Sequence, residues 1–244
     1  MSKVAVLIPA RLGSTRLPNK PLAEIKGKTM IVRVCEKAVE AGYNDIIVAC
    51  CEEEVKNEVE GKGYRAIMTD PDLPSGTDRI YAALNKLPIM PDIIVNLQGD
   101  LPNIDSKIIA DAVKVLDEKP DADIATAVVE IKDEELVNDP NVVKAVVNFD
   151  NHNTAQAYYF SRSTVPYGAP KLYEHIGIYV YRKEALEQFV KLPQSYFEKY
   201  EKLEQLRAIE NGLKIYACEI PNNLKPISVD TKEDLDRVEG LVAS

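Results

Sequence analysis

The chain has 244 residues, of which 45% are hydrophobic, and it carries a formal net charge of −9 with a pI near 5.0. This length and composition allow one large core, whereas the acidic balance argues against a nucleic-acid-binding protein, which needs a basic footprint. No stretch approaches the roughly 20 apolar residues of a membrane span, and the first apolar run is too short for the core of a signal peptide. We therefore expect a cytoplasmic protein with no membrane partner.

The first half of the chain alternates short apolar runs with segments of helical periodicity. The apolar runs predict strands at Val4–Pro9, Asp45–Ala49, Arg65–Met68, Ile93–Leu97 and Ile124–Val129. The periodic segments predict helices from Thr29 to a stop at Gly42, and over Glu52–Glu60, Thr77–Lys86 and Ser106–Lys119. This alternation is typical of βαβ units, so we expect an α/β fold with a mostly parallel sheet and helices on both faces.

The rhythm changes in the second half, where strands follow each other without long helices between them. Strands are predicted at Val142–Val147, Ala155–Phe160, Glu174–Arg182 and Lys214–Cys218, and helices at Lys183–Val190, at Tyr196–Glu210 and after Asp230. We expect these strands to be antiparallel additions to the sheet. No repeat or clean boundary divides the chain, so we treat residues 1–244 as one domain.

The cysteines do not form a recognisable metal motif. They are Cys35, Cys50, Cys51 and Cys218, and no CxxC spacing occurs. Because the chain also has only two histidines, we expect no zinc site and interpret the cysteines as reduced, mostly buried thiols.

The loop that follows the first strand concentrates positive charge. The stretch from Ile8 to Pro21 reads IPARLGSTRLPNKP and carries Arg11, Arg16 and Lys20 beside the small residues of Gly13–Thr15. Guanidinium groups and exposed backbone amides are strong donors to phosphate oxygens, although neither standard phosphate-binding fingerprint is present. The alternative is a polar surface loop, but three cations in so acidic a chain favour binding of a triphosphate.

Two further polar loops follow predicted strands. Gln98-Gly99-Asp100 follows the fourth strand, and the segment from Ser75 to Arg79 follows the third. Ligands of open α/β sheets bind beyond the carboxyl ends of the strands, so we expect these loops to converge with the opening loop on one crevice. Taken alone, Asp100 fits an ordinary Gly-Asp turn equally well.

A triphosphate is commonly accompanied by Mg²⁺, which is held by one or two carboxylates together with phosphate and water. Asp100 is one candidate ligand, and Asp230 is the second. Asp230 could instead cap the last helix together with Glu233, three residues later. Thr231 with Asp234 offers the same cap one residue on, which would leave Asp230 available for the metal.

Two stretches of the second half allow a functional and a structural interpretation. Alternation in the strand 174–182 places Ile176, Ile178 and Val180 on one face and His175, Gly177 and Tyr179 on the other. A surface histidine on an edge strand is about as consistent with this pattern as a ligand contact. In the helix near residue 205, Glu204 and Gln205 lie off the apolar stripe, and the pattern by itself favours a solvated face.

Together these residues resemble the 3-deoxy-manno-octulosonate cytidylyltransferases. The matching segments, in chain order, are IPARLGSTRLPNKPLAEIKGK, SGTDRI, VNLQGDLP, PNVVKAV, YYFSRSTVPY, EHIGIYVYR, YEKLEQLRAIENG and VDTKEDLDRV. They cover nearly the whole chain. N-acylneuraminate cytidylyltransferases have a comparable opening loop but lack the SGTDR and LEQLRA segments.

The resemblance implies a Rossmann-like nucleotidyltransferase that transfers CMP from CTP to the anomeric hydroxyl of 3-deoxy-manno-octulosonate (Kdo), releases pyrophosphate and serves lipopolysaccharide synthesis. It implies Mg²⁺ on Asp100 and Asp230, and a homodimer in which residues 142–212 bind sugar and form the interface. The implied nucleotide-binding residues are Ala10, Arg11, Gly13, Ser14, Arg16, Lys20, Ser75, Gly76 and Arg79. The implied sugar-binding residues are Gln98, Arg162, His175, Tyr179, Glu204 and Gln205. The implied catalytic residues are Arg11, Arg16, Lys20, Asp100 and Asp230.

The sequence departs from the family pattern in three places. Cys50-Cys51 replaces a Thr-Asp pair, Leu101 replaces a glutamate after Gly-Asp, and Glu174 replaces a lysine before the histidine. These changes leave open an 8-amino analogue of Kdo or an N-acylneuraminate as the acceptor. Because Leu101 removes one carboxylate near the expected metal, a nucleotide-binding homologue without catalytic activity is a further alternative.

Overall fold

The computed structural model describes residues 3–13, 16–150 and 152–242. Its strands are β1 (Val4–Pro9), β2 (Glu24–Ile25), β3 (Lys28–Thr29), β4 (Ile46–Cys50), β5 (Arg65–Met68), β6 (Ile93–Leu97), β7 (Ile124–Glu130), β8 (Lys144–Val147), β9 (Thr154–Ser161), β10 (Tyr173–Arg182) and β11 (Ile215–Ile220). Its helices are α1 (Met30–Glu40), α2 (Glu53–Gly61), α3 (Gly76–Leu84), α4 (Ser106–Glu118), α5 (Glu134–Val137), α6 (Lys183–Phe189), α7 (Tyr196–Glu201), α8 (Gln205–Glu210) and α9 (Lys232–Leu241). Short 3₁₀ turns lie at Lys20–Leu22 and Asn222–Leu224. Within the described ranges, no helix has the length and apolar character that crossing a membrane requires.

The chain forms two compact units. The first combines the chain up to Ala110 with the chain from Pro226 onward, and the second comprises Asp111–Lys225. The expected sugar-binding and dimerisation subregion, residues 142–212, falls within the second unit. Its role, like the assignment of the whole chain to one domain, stays a prediction.

The first unit contains a parallel sheet in the order β5-β4-β1-β6. Every residue of β4 and β6 is buried, as expected for strands that are covered on both faces. Helices α1, α2 and α3 pack against these strands. The prediction of a parallel α/β core is confirmed.

A short hairpin that the sequence analysis missed packs against the C-terminal segment of the chain. Strands β2 and β3 pair around Lys26 and Gly27, whose φ angles are 46° and 74°. Such positive angles at both central residues are typical of a two-residue hairpin turn, and the glycine was the available signal. A small buried cluster joins the hairpin and the start of α1 to the C-terminal segment through Ile25, Met30, Val229, Leu235 and Val238.

The second unit contains the strand order β10-β7-β11-β9-β8. The β7–β11 pair is parallel, and the β10–β7, β11–β9 and β8–β9 pairs are antiparallel. Strand β8 also pairs with the first residues of β10. The expected antiparallel additions are therefore present, and His175 does not lie on an edge strand, because β10 pairs with β7 on one side and with β8 on the other at that end.

The single helix predicted over Tyr196–Glu210 is wrong, because the structure has two helices, α7 and α8. Lys202 adopts a left-handed conformation with φ of 55°, which ends α7. The carbonyl oxygen of Glu201 accepts a hydrogen bond of 2.9 Å from Nε of Arg162. A partner distant in sequence thus replaces the next turn of helix, which periodicity cannot indicate.

Candidate active site

The three predicted loops meet around one cavity of about 410 Å³ in the first unit. The opening loop, the segment from Leu73 to Arg79, and Gln98–Asp100 all contribute to its lining, together with Asp230. Because β1, β5 and β6 are parallel strands of one sheet, the loops that follow them leave from the same edge. The convergence expected from the sequence is confirmed.

Lys20 stands at the centre of the charged part of this cavity. Its Nζ lies 2.8 Å from Oδ2 of Asp100 and 3.0 Å from Oδ1 of Asp230. Nη2 of Arg16 lies 3.0 Å from the same oxygen of Asp230. Burial acts to lower the pKa of Lys20, but the two carboxylates outweigh burial and raise that pKa above its ordinary value. The ammonium therefore stays charged between its two acidic partners.

The cap of α9 leaves the Asp230 carboxylate available. Oγ1 of Thr231 accepts a hydrogen bond from the backbone N–H of Asp234, and Oδ2 of Asp234 accepts from the backbone N–H of Thr231. This capping box is the alternative that the sequence offered to a cap by Asp230 with Glu233. It satisfies the helix end without Asp230, whose side chain faces Lys20 and Arg16.

Backbone contacts place Asp230 beside Asp100. The N–H of Val229 donates to the carbonyl oxygen of Asp100 at 2.9 Å, and the N–H of Ile227 donates to Oδ1 of Asn103 at 3.0 Å. These two hydrogen bonds tie the segment just before Asp230 to the segment that begins at Asp100. Contacts other than the ion pairs with Lys20 therefore also help to hold the two aspartates near each other.

The donor set suits a hard divalent cation. Asp100 and Asp230 place carboxylate oxygens on either side of Nζ of Lys20. A metal cation could therefore bind the same oxygens in place of the ammonium group. Among the described residues, no group of three or more acidic, histidine or cysteine side chains could hold a metal. Two carboxylates that leave further positions to phosphate and water are the usual arrangement for Mg²⁺, so the residues present fit this ion.

The predicted nucleotide-binding residues of the opening loop line the cavity where they are described. Ala10, Arg11, Gly13 and Arg16 do so, and the Arg11 side chain is exposed. The backbone N–H of Leu12 donates to Oε1 of Glu52 at 2.9 Å, a contact that the sequence analysis missed. Ser14 lies outside the described residues.

At the other end of the cavity, the predicted residues have mainly local contacts. Ser75 caps α3 through a hydrogen bond from the Asp78 N–H. The buried Arg79 donates to Oγ1 of Thr69 at 2.6 Å and to the carbonyl of Asp70 at 3.2 Å. Arg79 therefore shapes the loop after β5 as well as lining the cavity. Leu73 and Pro74 form an apolar part of the lining that the sequence analysis did not single out.

Two glycines allow the backbone to come close at the cavity. A Cβ atom at Gly99 would lie 3.0 Å from the carbonyl oxygen of Pro9, and one at Gly76 would lie 3.3 Å from Cγ of Pro9. A side chain at either position would therefore crowd Pro9, most severely at Gly99, where the neighbouring atom belongs to the backbone. Gln98, predicted to contact sugar, lines the same cavity, and its Nε2 donates to Oδ1 of Asn96 at 2.9 Å.

The remaining predicted sugar-binding residues belong to the second unit. His175 contacts Thr126 through Nε2, and its ring lies 5.3 Å from that of Tyr179. Arg162 donates from Nε to Glu201 O and from Nη1 to Pro140 O, both at 2.9 Å, so its guanidinium is held by two carbonyls.

The two polar residues at the start of α8 complete this set. Gln205 is buried, and among the described residues its Nε2 has no hydrogen-bond partner. Glu204 occupies the N-cap position of α8 and is half-buried. The solvated face that periodicity favoured for this stretch is thus wrong for Gln205.

Comparison with known proteins identifies the family of this chain. A family model described as cytidylyltransferase matches residues 5–215. The chain is 49% identical over 240 residues to a 3-deoxy-manno-octulosonate cytidylyltransferase of Paramagnetospirillum magneticum, covering 97% of this chain and 96% of that one. It is 52% identical over 238 residues to the protein of that name from Brucella suis, covering 96% and 94%.

Solved structures give the same result. A CMP:2-keto-3-deoxy-manno-octonic acid synthetase complexed with CTP superposes with a TM-score of 0.89 at 38% identity, covering 98% of both chains. A cytidylyltransferase from Leptospira borgpetersenii superposes with a TM-score of 0.65 at 19% identity, covering 100% of this chain and 89% of that one. The second likeness concerns the fold alone.

Proposed function

This chain belongs to the cytidylyltransferase family, and we propose that it transfers CMP from CTP to the anomeric hydroxyl of Kdo, releasing pyrophosphate. The observation that carries the proposal is the position of Lys20 between Asp100 and Asp230 in a cavity lined by the cationic opening loop. The high identity to relatives named for this activity supports the choice of nucleotide and sugar.

In the reaction, the sugar hydroxyl attacks the α-phosphorus in line with the departing pyrophosphate, so the protein contributes mainly position and charge. Arg11, Arg16 and Lys20 face the negative charge of the triphosphate and stabilise the charge that grows on the leaving group. Lys20 is already oriented by two carboxylates before substrate arrives, and such preorganised donors lower the barrier because they need not reorganise.

We assign Mg²⁺ to Asp100 and Asp230, which supply the carboxylate oxygens that this ion prefers. When bound, the ion supplies Lewis-acid neutralisation of phosphate oxygens. The two aspartates keep their mutual position through the backbone bonds beside them, whichever cation lies between them.

For the sugar acid, we propose contacts from Gln98, Arg162, His175, Tyr179, Glu204 and Gln205. Arg162 is suited to the carboxylate of the sugar because two carbonyl oxygens orient its guanidinium without neutralising it. The buried Nε2 of Gln205 is a donor that a sugar hydroxyl could satisfy.

We also propose that the protein is a homodimer assembled through residues 142–212. Large aromatic side chains of this subregion are exposed, among them Tyr158, Tyr196 and Tyr200. Exposed aromatic patches are typical of interaction surfaces, and burying them against a second copy would remove them from water. Sedimentation velocity should give a dimer, and the double substitution Tyr196→Ser and Tyr200→Ser should shift the equilibrium towards monomer.

We propose that the reaction takes place in the cytoplasm and serves lipopolysaccharide synthesis.

The deciding experiment is a pyrophosphate-release assay with CTP, Kdo and Mg²⁺. We expect turnover that is lost in EDTA, and much weaker turnover with UTP or ATP. The 8-amino analogue of Kdo and N-acetylneuraminate, tested in parallel, identify the preferred acceptor. Asp230→Asn should lower the rate about 10²–10³-fold, whereas Asp236→Asn on the exposed side of α9 should leave it unchanged.

Binding of CTP measured by calorimetry, with no product from any sugar acid, would instead establish the non-catalytic homologue that Leu101 left open. Leu101 itself is buried, and its aliphatic side chain has no carboxylate to offer a metal. The absence of both binding and turnover would overturn the proposal altogether.

A further inference from the structure

Thr126, in the middle of β7, forms an unusual set of contacts with β10. Its Oγ1 lies 2.9 Å from Nε2 of His175, 2.7 Å from the carbonyl oxygen of Ile178 and 3.3 Å from that of Ile176. These contacts occur at an irregularity in the strand pairing, because Ile176 is opposite Ala127 while Tyr179 is already opposite Thr126. Such bulges re-aim side chains and leave backbone groups that need other partners.

The protons in this arrangement can be assigned from chemistry alone. A carbonyl oxygen only accepts hydrogen bonds, and a hydroxyl group has one proton to donate. Oγ1 of Thr126 and the carbonyl oxygen of Ile178 lie 2.7 Å apart, and two oxygen atoms this close need a proton between them, so the Thr126 proton is directed to Ile178. The contact with His175 is then one in which the hydroxyl oxygen accepts, so Nε2 of His175 must carry a proton.

His175 is neutral, which decides the state of its other nitrogen. Burial lowers the pKa of its imidazole from an ordinary 6.5 to about 3. A neutral imidazole has one N–H, so Nδ1 is unprotonated and acts as an acceptor. Among the described residues, no side chain or backbone group forms a hydrogen bond with Nδ1.

The ring is also fixed in orientation. It packs edge-on against Phe160 with centroids 4.9 Å apart, and it is tilted against Tyr179 at 5.3 Å. A 180° rotation about the Cβ–Cγ bond would place Cε1 where Nε2 lies and so break the contact with Thr126, and smaller rotations are opposed by the packing. The half-buried histidine therefore offers one acceptor atom in one direction.

We propose that Thr126 is a positioning residue that holds His175 as the Nε2–H tautomer, so that Nδ1 accepts a hydrogen bond from a hydroxyl group of the sugar acid. The assignment of the acceptor's partner rests on the proposed function, but the tautomer itself does not. Thr126→Val removes the hydroxyl and keeps the shape, and Thr126→Ser keeps the hydroxyl.

The tautomer can be measured without substrate by long-range ¹H–¹⁵N correlation spectra of the histidine rings. The chain has two histidines, so His152→Gln assigns the signals of His175. We expect a protonated Nε2 and an unprotonated Nδ1 in the wild type and in Thr126→Ser. In Thr126→Val we expect the two nitrogen shifts to move towards an average of both tautomers.

Kinetics give the second readout. Thr126→Val should raise the KM for Kdo about tenfold, the loss of one hydrogen bond, and should leave the KM for CTP unchanged. Thr126→Ser should restore it, and Thr29→Val on β3, which lies outside the proposed sites, should match the wild type. An Nδ1–H tautomer in the wild type, or an unchanged tautomer in Thr126→Val, would overturn the proposal. If the tautomer is as expected but Kdo is not turned over, the proposed function fails and the role of Thr126 in fixing the tautomer stands.

Discussion

The position of Lys20 leads to a prediction about stability that is separate from catalysis. Lys20→Met removes the charge between Asp100 and Asp230 but keeps most of the unbranched side chain. A hydrogen bond to a charged group contributes about 1.5–3 kcal/mol. The Lys20 side chain is 15% exposed, and its partners are 27% and 37% exposed, so solvent screening places the effect at the lower end. We expect the free energy of unfolding to fall by about 2–3 kcal/mol for the two bonds together.

Divalent cation should reverse part of this loss. Without the ammonium, the two carboxylates repel each other and bind a cation more readily. At 10 mM Mg²⁺ and a dissociation constant near 1 mM, linkage gives a stabilisation of about 1.4 kcal/mol. Urea unfolding with and without Mg²⁺ measures this, and the gain should be larger in Lys20→Met than in the wild type. Lys232→Met, which breaks an exposed ion pair with Asp236, should keep the stability of the wild type and its smaller gain with Mg²⁺. An equal Mg²⁺ effect in all three proteins would refute the placement of the cation site.

Two further substitutions test the fold around the proposed sites. Gly99→Ala should lower the free energy of unfolding by about 1–3 kcal/mol through crowding against the Pro9 carbonyl, and should weaken CTP binding in calorimetry. Gly61→Ala in α2, where a Cβ atom would meet no described atom within 4 Å, should instead leave stability equal or higher. Because the folded pKa of His175 is about 3 and the unfolded value is near 6.5, only the unfolded chain takes up this proton between those values, so stability falls as the pH is lowered through that range. Between pH 6.5 and pH 5, the decrease in the free energy of unfolding should be smaller in His175→Gln than in the wild type by up to about 2 kcal/mol. Urea unfolding measures this difference. Substitution of the exposed His152 by Gln should leave the pH dependence of the wild type unchanged.

Continuous apolar runs were the most reliable guide to the fold. Strands β1, β5 and β6 have the bounds that the sequence predicted. Polar residues precede and follow each run, so the first and last residues of these strands can be recognised from the sequence. The convergence of the three polar loops could be predicted because parallel strands end at the same edge of a sheet. The availability of the Asp230 side chain could be predicted because Thr231 and Asp234 can cap α9 without it.

Contacts between distant segments could not be predicted in the same way. The break between α7 and α8 depends on Arg162, which lies 39 residues before Glu201. The role of Thr126 depends on an irregular register between β7 and β10. A prediction that assumes strict alternation along a strand cannot show such an irregularity. Gly177 within a strand was a signal for such a bulge, because glycine weakens regular pairing. It could not show which hydroxyl group would satisfy the displaced carbonyls.

The way in which the carboxylates are held has a consequence for the chemistry. Lys20 is 80 residues from Asp100 and 210 residues from Asp230 along the chain, yet the C-terminal segment is not held by these charges alone. The Val229 N–H bonds to the Asp100 carbonyl, and Val229 itself lies in the buried cluster with Ile25 of the hairpin. Backbone bonds and apolar packing therefore bring the two acids together even when their charge is uncompensated. In the proposed reaction, this arrangement would let Lys20 turn from the carboxylates to a phosphate group while the two acids stay in place for the proposed Mg²⁺.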